Sequence, residues 1–297
     1  MRFEYINIEN KDLEAGAIIE CHPELELYFS LNESQLSHYY EPELGLFVVE
    51  SPMVIERALA AGYEPQSFVM IDSVADEMCE KIKKQINGRL EDISVSVYLA
   101  SYNTISKMTG VNITRGVLAL MKRRELPELT ELVKEYRRIA VFDDVENPTN
   151  VGAMFRSAAA LGIEAVILTG ASSDPLYRRA SRVSVGTVFQ VPWTKLGKQY
   201  EKDVKKHRVG NYIEQLHNLG FKTAAMALAD NSVNIDDKSI KGEDKLAIIL
   251  GNEGFGLADE VVKESDYVVK IPMKHNVDSL NVAAACSIAF WEVMKSN

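Results

Sequence analysis

The sequence predicts an α/β protein of two parts: a C-terminal domain built on a parallel sheet, and a smaller α/β sandwich before it. Three observations predict this. Short apolar runs alternate with helical stretches through most of the chain, the pattern of sheets covered by helices. The alternation is interrupted over 125–137 (Glu125-Leu126-Pro127 to Arg137), which reads as a linker helix. Three polar or glycine-bearing turns, after residues 144, 250 and 271, each follow the C-terminal end of an expected strand. That edge is where open α/β sheets bind ligands. The expected boundaries are 1–125, 126–137 and 138–297.

In chain order, residues 1–45 are acidic, with net −6 over the first 40, and carry turn signals at Pro23 and Pro42. They read as irregular, either a short α/β extension or a partner-binding arm. From Leu46 the pattern is regular. Strand 46–50 precedes a helix that opens on Pro52 and ends near Gly62. Strand 68–72, helix 74–87, and strands 95–100 and 117–121 follow. Beyond the linker we expect strand 139–143, helix 151–161, strand 164–168 and strand 188–192. Helix 212–219, stopped by Gly220, leads to strand 222–228, strand 245–250, helix 257–264, strand 267–271 and helix 280–294. Pro272 ends the last strand because it has no N–H to donate, and Ser279 is a candidate N-cap. The final helix, with Cys286, Phe290 and Trp291, is apolar on nearly every face. It must be buried, in its own domain or against a second copy of the chain, and a two-fold homodimer is expected.

The 297 residues suffice for two ordinary domains, and 46% apolar content supports a sizeable core. No apolar run approaches membrane-spanning length, and the N-terminus lacks the pattern of a signal peptide. Cys21, Cys79 and Cys286 are odd in number and far apart, which fits neither a disulfide framework nor a metal site. Reduced thiols in a cytoplasm are the expectation. The net charge of −10 is unevenly spread: residues 1–135 carry all of it, and residues 136–297 are neutral. Within 178–208 nine basic residues (Arg178, Arg179, Arg182, Lys195, Lys198, Lys202, Lys205, Lys206, Arg208) face two acids. That local +7 reads either as a solvated basic loop or as a phosphate-contacting surface. Lys122, Arg123 and Arg124, with Arg115 before them, are a second candidate nucleic-acid contact, set against a solvated linker end.

The three turns carry motifs. The first is Asn150-x-Gly152-x-x-x-Arg156. The second is unbroken from Leu250 to Leu257, Leu-Gly-Asn-Glu-Gly-Phe-Gly-Leu. The third runs from Ile271 to Val282, Ile-Pro-Met-Lys-His-Asn-Val-Asp-Ser-Leu-Asn-Val. Together, in this order and over about half the chain, they resemble the motifs of the SpoU (TrmH-like) branch of the SPOUT RNA methyltransferases. One residue departs from that pattern: His275 stands where the family usually has glycine, and the adjacent Asn276 tolerates a left-handed backbone, which would move the turn by one position. No G-x-G-x-x-G follows the domain's first strand, and no Lys-Ser/Thr follows the second motif, so the usual dinucleotide and phosphate-loop signatures are absent.

The resemblance implies a trefoil-knotted parallel-sheet domain and a ribosomal-protein-like sandwich that binds substrate. It implies S-adenosylmethionine as cofactor, held by Thr169, Gly170, Gly251, Gly254, Ile271, Met273 and Leu280. It assigns the acceptor side to Arg156, Asn150, Glu253, Ser279 and Asn281. The residue types suit such a reaction. Methyl transfer needs an aligned acceptor oxygen and neither metal nor covalent intermediate, so most of the rate can come from positioning. Arginine is a poor general base but clamps a phosphate bidentately; transient deprotonation is the other reading of Arg156. Asn150 reads equally as a helix cap, Ser279 and Asn281 as a cap and its neighbour, and Glu253 as a ribose ligand or a brace for its own turn. The implied function is 2′-O-methylation of ribose in structured RNA, ribosomal rather than transfer RNA because of the sandwich domain. The rival is a non-catalytic RNA-binding protein on the same fold.

Overall fold

In the computed structural model the described residues are 1–9, 15–29, 32–37, 45–86, 93–109, 116–196, 210–229, 231–275 and 279–295. The chain divides into two compact units. One is Met1–Glu125 with Leu176–Phe189; the other is Leu126–Pro175 with Gln190–Asn297. The elements run β1 (Arg2–Asn7), α1 (Ala15–Cys21), α2 (Glu26–Phe29), α3 (Glu33–Ser37), β2 (Leu46–Glu50), α4 (Pro52–Ala60), β3 (Pro65–Ile71), α5 (Asp72–Ile86), β4 (Ser94–Ala100), α6 (Tyr102–Thr109) and β5 (Val117–Lys122). Then follow α7 (Leu129–Val133), β6 (Arg138–Asp143), α8 (Pro148–Leu161), β7 (Ala165–Thr169), α9 (Arg178–Val183) and β8 (Trp193–Lys195). The last are α10 (Gly210–Asn218), β9 (Lys222–Met226), β10 (Val233–Asn234), α11 (Lys238–Gly242), β11 (Leu246–Leu250), α12 (Asp259–Glu264), β12 (Tyr267–Lys270) and α13 (Val282–Met294).

The first unit holds a five-stranded sheet in the order β1-β4-β3-β5-β2. β1, β4 and β3 are parallel, and β5 runs antiparallel to β3 and β2. The acidic N-terminus is part of this unit and not an appended arm. β1 pairs with β4 from Arg2↔Ser94 to Asn7↔Leu99. Ile18, Leu25, Tyr28 and Leu36 share one core with Leu46, Val69 and Leu120. The charges mask this because they sit on exposed faces, while the apolar residues between them are buried.

Segment 176–189 completes the first unit. Its helix α9, expected as a loop, lies against β2. Glu50, buried at 2% exposure, receives Arg178 at 3.1 Å and Arg182 at 3.5 Å. Arg57 donates to the Val185 carbonyl at 2.8 Å, and Phe189 packs on Phe47 and Tyr63. The strand expected at 188–192 is absent. Residues Thr187–Phe189 form a 3-10 turn and the strand begins at Trp193, because the apolar run there serves the first unit's core.

The second unit is a parallel sheet in the order β10-β12-β9-β11-β6-β7-β8. β6, β7 and β11 are buried along their lengths, Arg138 excepted. They read as continuous apolar runs because both faces are covered. Ile139, Val141, Ile167 and Ile249 pack with α7, α10 and α12. Opposite them Phe142 meets Phe155 of α8 at 5.6 Å, and α8 packs along α13. Strand order β12-β9-β11-β6 sets the three motif turns side by side at one sheet edge.

Candidate active site

Asn147, not Asn150, caps α8: its side-chain oxygen accepts from Thr149 N at 2.9 Å, with Pro148 in the first turn. Asn150 is therefore inside the helix, 8% exposed, with its amide free to bond elsewhere. It donates to Glu253 Oε1 at 2.8 Å and accepts from Asn281 Nδ2 at 3.2 Å. Asn281, not Ser279, caps α13, accepting from Ala283 N at 2.9 Å. Glu253 Oε1 also accepts from the Asn147 N–H at 3.3 Å. One network thus ties the three turns together. The second turn is braced further by Asn252, which donates to the Asp144 carbonyl at 2.9 Å and accepts from the N–H groups of Gly254 and Phe255 at 2.8 and 3.1 Å.

Beside this network lies a cleft of about 660 Å³ lined by Gly251, Gly254, Ile271, Met273, Ser279, Leu280 and Asn281. Its size is in the usual range for ligand sites, about 300–1,000 Å³. The sequence did not point to the end of β9, yet Met226, Ala227 and Leu228 form another wall. β9 sits between β11 and β12, so its end opens into the same crevice; the only signal was an apolar strand ending before a polar turn. Thr169 and Gly170 lie outside the cleft, because β7 is on the far side of β6. Thr169 donates to the Asp143 carboxylate. Gly170 has φ +48, and a Cβ there would stand 2.0 Å from Asp144 Oδ1. Its place is to make room for Asp144, which in turn holds Asn252.

At Gly251 a Cβ would meet Gly256 C and Leu257 N, each at 2.7 Å. The turn is closed so tightly that only a residue without a Cβ fits at Gly251, and residues 251–257 of the turn line the cleft. With Leu250, Val269 and Ala285 as apolar lining, the site suits an adenosine that bonds to backbone and carries an amino-acid arm. The left-handed position of the third turn is His275 itself, with φ +59. Asn276, the alternative left-handed position, lies outside the described residues. Histidine is among the non-glycine residues that adopt this conformation more readily.

Residues 137–291 match the family described as the SpoU rRNA Methylase family. The chain belongs to this family. It is 30% identical over 278 residues to an uncharacterized tRNA/rRNA methyltransferase of Mycobacterium bovis, covering 92% of this chain and 89% of that one. It is 25% identical over 247 residues to the 23S rRNA (guanosine(2553)-2′-O)-methyltransferase RlmP of Bacillus subtilis, covering 83% and 88%. Among solved structures, an AdoMet-bound rRNA methyltransferase from Sinorhizobium meliloti superposes with TM-score 0.73 at 20% identity, over 98% of this chain and 97% of that one. The SpoU methyltransferase AviRb from Streptomyces viridochromogenes, in complex with AdoMet, superposes with TM-score 0.67 at 20% identity, over 89% and 93%. These two likenesses show the shared α/β parallel-sheet fold.

The remaining motif residue of this SpoU chain, Arg156, is exposed on α8 and has no ion-pair partner among the described residues. It does not line the cleft. The candidate RNA contacts of the first unit are engaged locally. Lys122 pairs with Glu64 at 3.5 Å, Arg123 donates to the Leu46 carbonyl, and Arg124 donates to the Ala61 carbonyl and stacks on Tyr63 at 4.3 Å. Arg115, Lys198, Lys202, Lys205, Lys206 and Arg208 lie outside the described residues. Burial pushes the Cys286 thiol well above its ordinary value, which disfavours the thiolate a nucleophile needs.

Proposed function

We propose that this protein is an S-adenosylmethionine-dependent RNA methyltransferase that acts on a ribose 2′-hydroxyl in structured RNA, ribosomal RNA before transfer RNA. The observation that carries the reading is the Asn150–Glu253–Asn281 network at the lip of the cleft. It uses one buried side chain, Asn150, and two exposed ones, Glu253 and Asn281, to fix the relative positions of three loops, as expected of a site that works by alignment. The assignment of ribose and of ribosomal RNA is supported by the relative RlmP, a 2′-O-methyltransferase of a guanosine in 23S rRNA.

When bound, the cofactor supplies an electrophilic methyl group. Backbone groups of Gly251, Ile271, Met273 and Leu280 would hold it, with the end of β9 as the apolar wall. Glu253 and Asn281 hold the Asn150 amide in one orientation, and Asn150 in turn orders the acceptor ribose. Ser279 lines the cleft beside Asn281 and serves the acceptor side. Arg156 clamps a backbone phosphate and positions the hydroxyl, whose proton leaves to phosphate or water. A trefoil knot in the second unit, RNA recruitment by the first, and a cytoplasmic location belong to the same proposal. So does a homodimer. α13 buries Cys286, Ala289, Phe290 and Val293, while Ile288 and Trp291 on its other face are 39% and 57% exposed, a face that a second copy would cover.

The test combines cofactor binding with single-turnover methylation of unmodified ribosomal RNA transcripts. We expect calorimetric binding of S-adenosylmethionine by wild type, and an Arg156→Ala variant that binds it within a few-fold but transfers no methyl group. A variant with a near-normal single-turnover rate removes Arg156 from the acceptor side, and a wild type that binds no cofactor favours the non-catalytic RNA-binding reading.

A further inference from the structure

Phe255 is 94% exposed, the most exposed large apolar side chain among the described residues. It sits at the tip of the second motif turn, two residues from Glu253. The turn is closed by two backbone hydrogen bonds, Asn252 N to the Gly256 carbonyl at 3.2 Å and Gly256 N to the Asn252 carbonyl at 3.0 Å. The Asn252 side chain ties down the N–H groups of Gly254 and Phe255 from inside. The ring is therefore held outward by a braced loop. Two other exposed apolar side chains, Leu228 at 60% and Leu280 at 39%, line the same cleft. Apolar side chains gathered at the mouth of a polar-rimmed cleft mark a contact surface.

We propose that Phe255 is a stacking platform for an unpaired nucleobase of the RNA, either the base of the methylated nucleotide or its neighbour. The inference rests on the methyltransferase reading given above. In an A-form helix the 2′-hydroxyls line a shallow groove bounded by both strands. A ribose that reaches the Asn150–Glu253 network beside a loop-walled cleft has to leave that helix, and its base then loses its stacking partners. A solvent-facing aromatic ring on a braced backbone, a few residues from the network, replaces them. Aromatic rings serve this purpose for any base, since every base has a π-face. A phosphate-binding role is excluded by the side chain's chemistry. Two other occupants remain as outcomes: the adenine of the cofactor, because Phe255 also lines the cleft, and a second copy of the chain.

The test uses full-length protein saturated with S-adenosylhomocysteine and two single-stranded probes of equal length and charge, an adenylate decamer and an abasic ribose-phosphate decamer. Variants are Phe255→Leu, which keeps apolar bulk without a π-face, and Phe255→Trp. Wild type is expected to prefer the adenylate probe by about ten-fold, within the range of one base–aromatic stack. Phe255→Leu loses that preference, Phe255→Trp retains it, and S-adenosylhomocysteine affinity stays within two-fold in both. Equal discrimination by wild type and Phe255→Leu overturns the proposal. So does a loss of S-adenosylhomocysteine affinity in Phe255→Leu, which gives the ring to the cofactor, or a fall in mass by light scattering, which gives it to a second copy. A wild type that discriminates between the probes yet fails to methylate RNA separates the fate of this inference from that of the enzyme reading.

Discussion

Asn150 is held by two neighbours from distant parts of the chain rather than by the helix it belongs to. Its amide has a donor side on Glu253 and an acceptor side on Asn281, so only a residue with both functions fits. Asn150→Asp keeps the shape and removes the donor, placing a second carboxylate where the amide stood 2.8 Å from Glu253 Oε1. Two carboxylates this close repel when both are ionised, so one of them binds a proton more readily than an isolated carboxyl does. At pH 8 the variant is therefore expected to lose about 1–3 kcal/mol, and most of its methyl transfer. As pH falls toward 5 a shared proton rebuilds the hydrogen bond and stability returns. Thermal melting of wild type and variant across this range checks it; a pH-independent difference refutes the pairing. The sequence placed Asn150, Glu253 and Asn281 in motifs but could not show which asparagine caps which helix. Asn147 and Asn150 are both credible caps by type, and only the backbone angles at Asn147 decide.

At the scale of elements, the sheet edge that makes the cleft is stitched at its other end by Asp266, just before β12. Its carboxylate accepts from Lys222 Nζ at 2.6 Å and from Thr223 N at 2.9 Å, both on the neighbouring β9, and meets His217 of α10 at 2.9 Å. Burial alone would raise its pKa, but Lys222, the Thr223 N–H and His217 outweigh burial and hold it below the usual carboxylate range. A depressed carboxyl pKa stabilises the fold above the unfolded value and loses that effect as pH falls through the folded one. Asp266→Asn should thus cost about 1–2 kcal/mol at neutral pH, in the lower range because Lys222 is half exposed. The melting temperatures of variant and wild type should start to converge below about pH 4 and meet once pH has fallen through the depressed folded value; a gap that does not narrow over that fall argues against an electrostatic origin. Sheet strands of this unit were legible because runs such as 139–143 and 246–250 are buried on both faces. α9 was not: six residues with three arginines carry no periodic apolar stripe, and its partner Glu50 lies 128 positions away. The end of β9 escaped notice for a related reason, since its place in the cleft follows from strand order, which no local pattern encodes.

For the whole molecule the question is how a chain of net charge −10 approaches RNA. Screening favours local charge over the total, because the Debye length is about 8 Å at physiological salt. A basic region of +7 over 178–208 would dominate its own surroundings if its charges were free. Two of them are committed: Arg178 and Arg182 neutralise the buried Glu50, whereas Arg179 is exposed without an ion pair among the described residues. The three arginines therefore separate by role. Arg179→Ala is expected to lower the log–log salt slope of RNA binding by roughly 0.7 to 0.9, one phosphate contact. Arg178→Ala and Arg182→Ala should leave that slope nearly parallel to wild type and instead lower the melting temperature, since each leaves a buried carboxylate short of a partner. Affinity for ribosomal RNA transcripts at several salt concentrations, with melting curves of the same three variants, distinguishes the roles. If all three flatten the slope equally, Glu50 gives up its arginines when RNA binds; if none does, the phosphate contacts lie elsewhere.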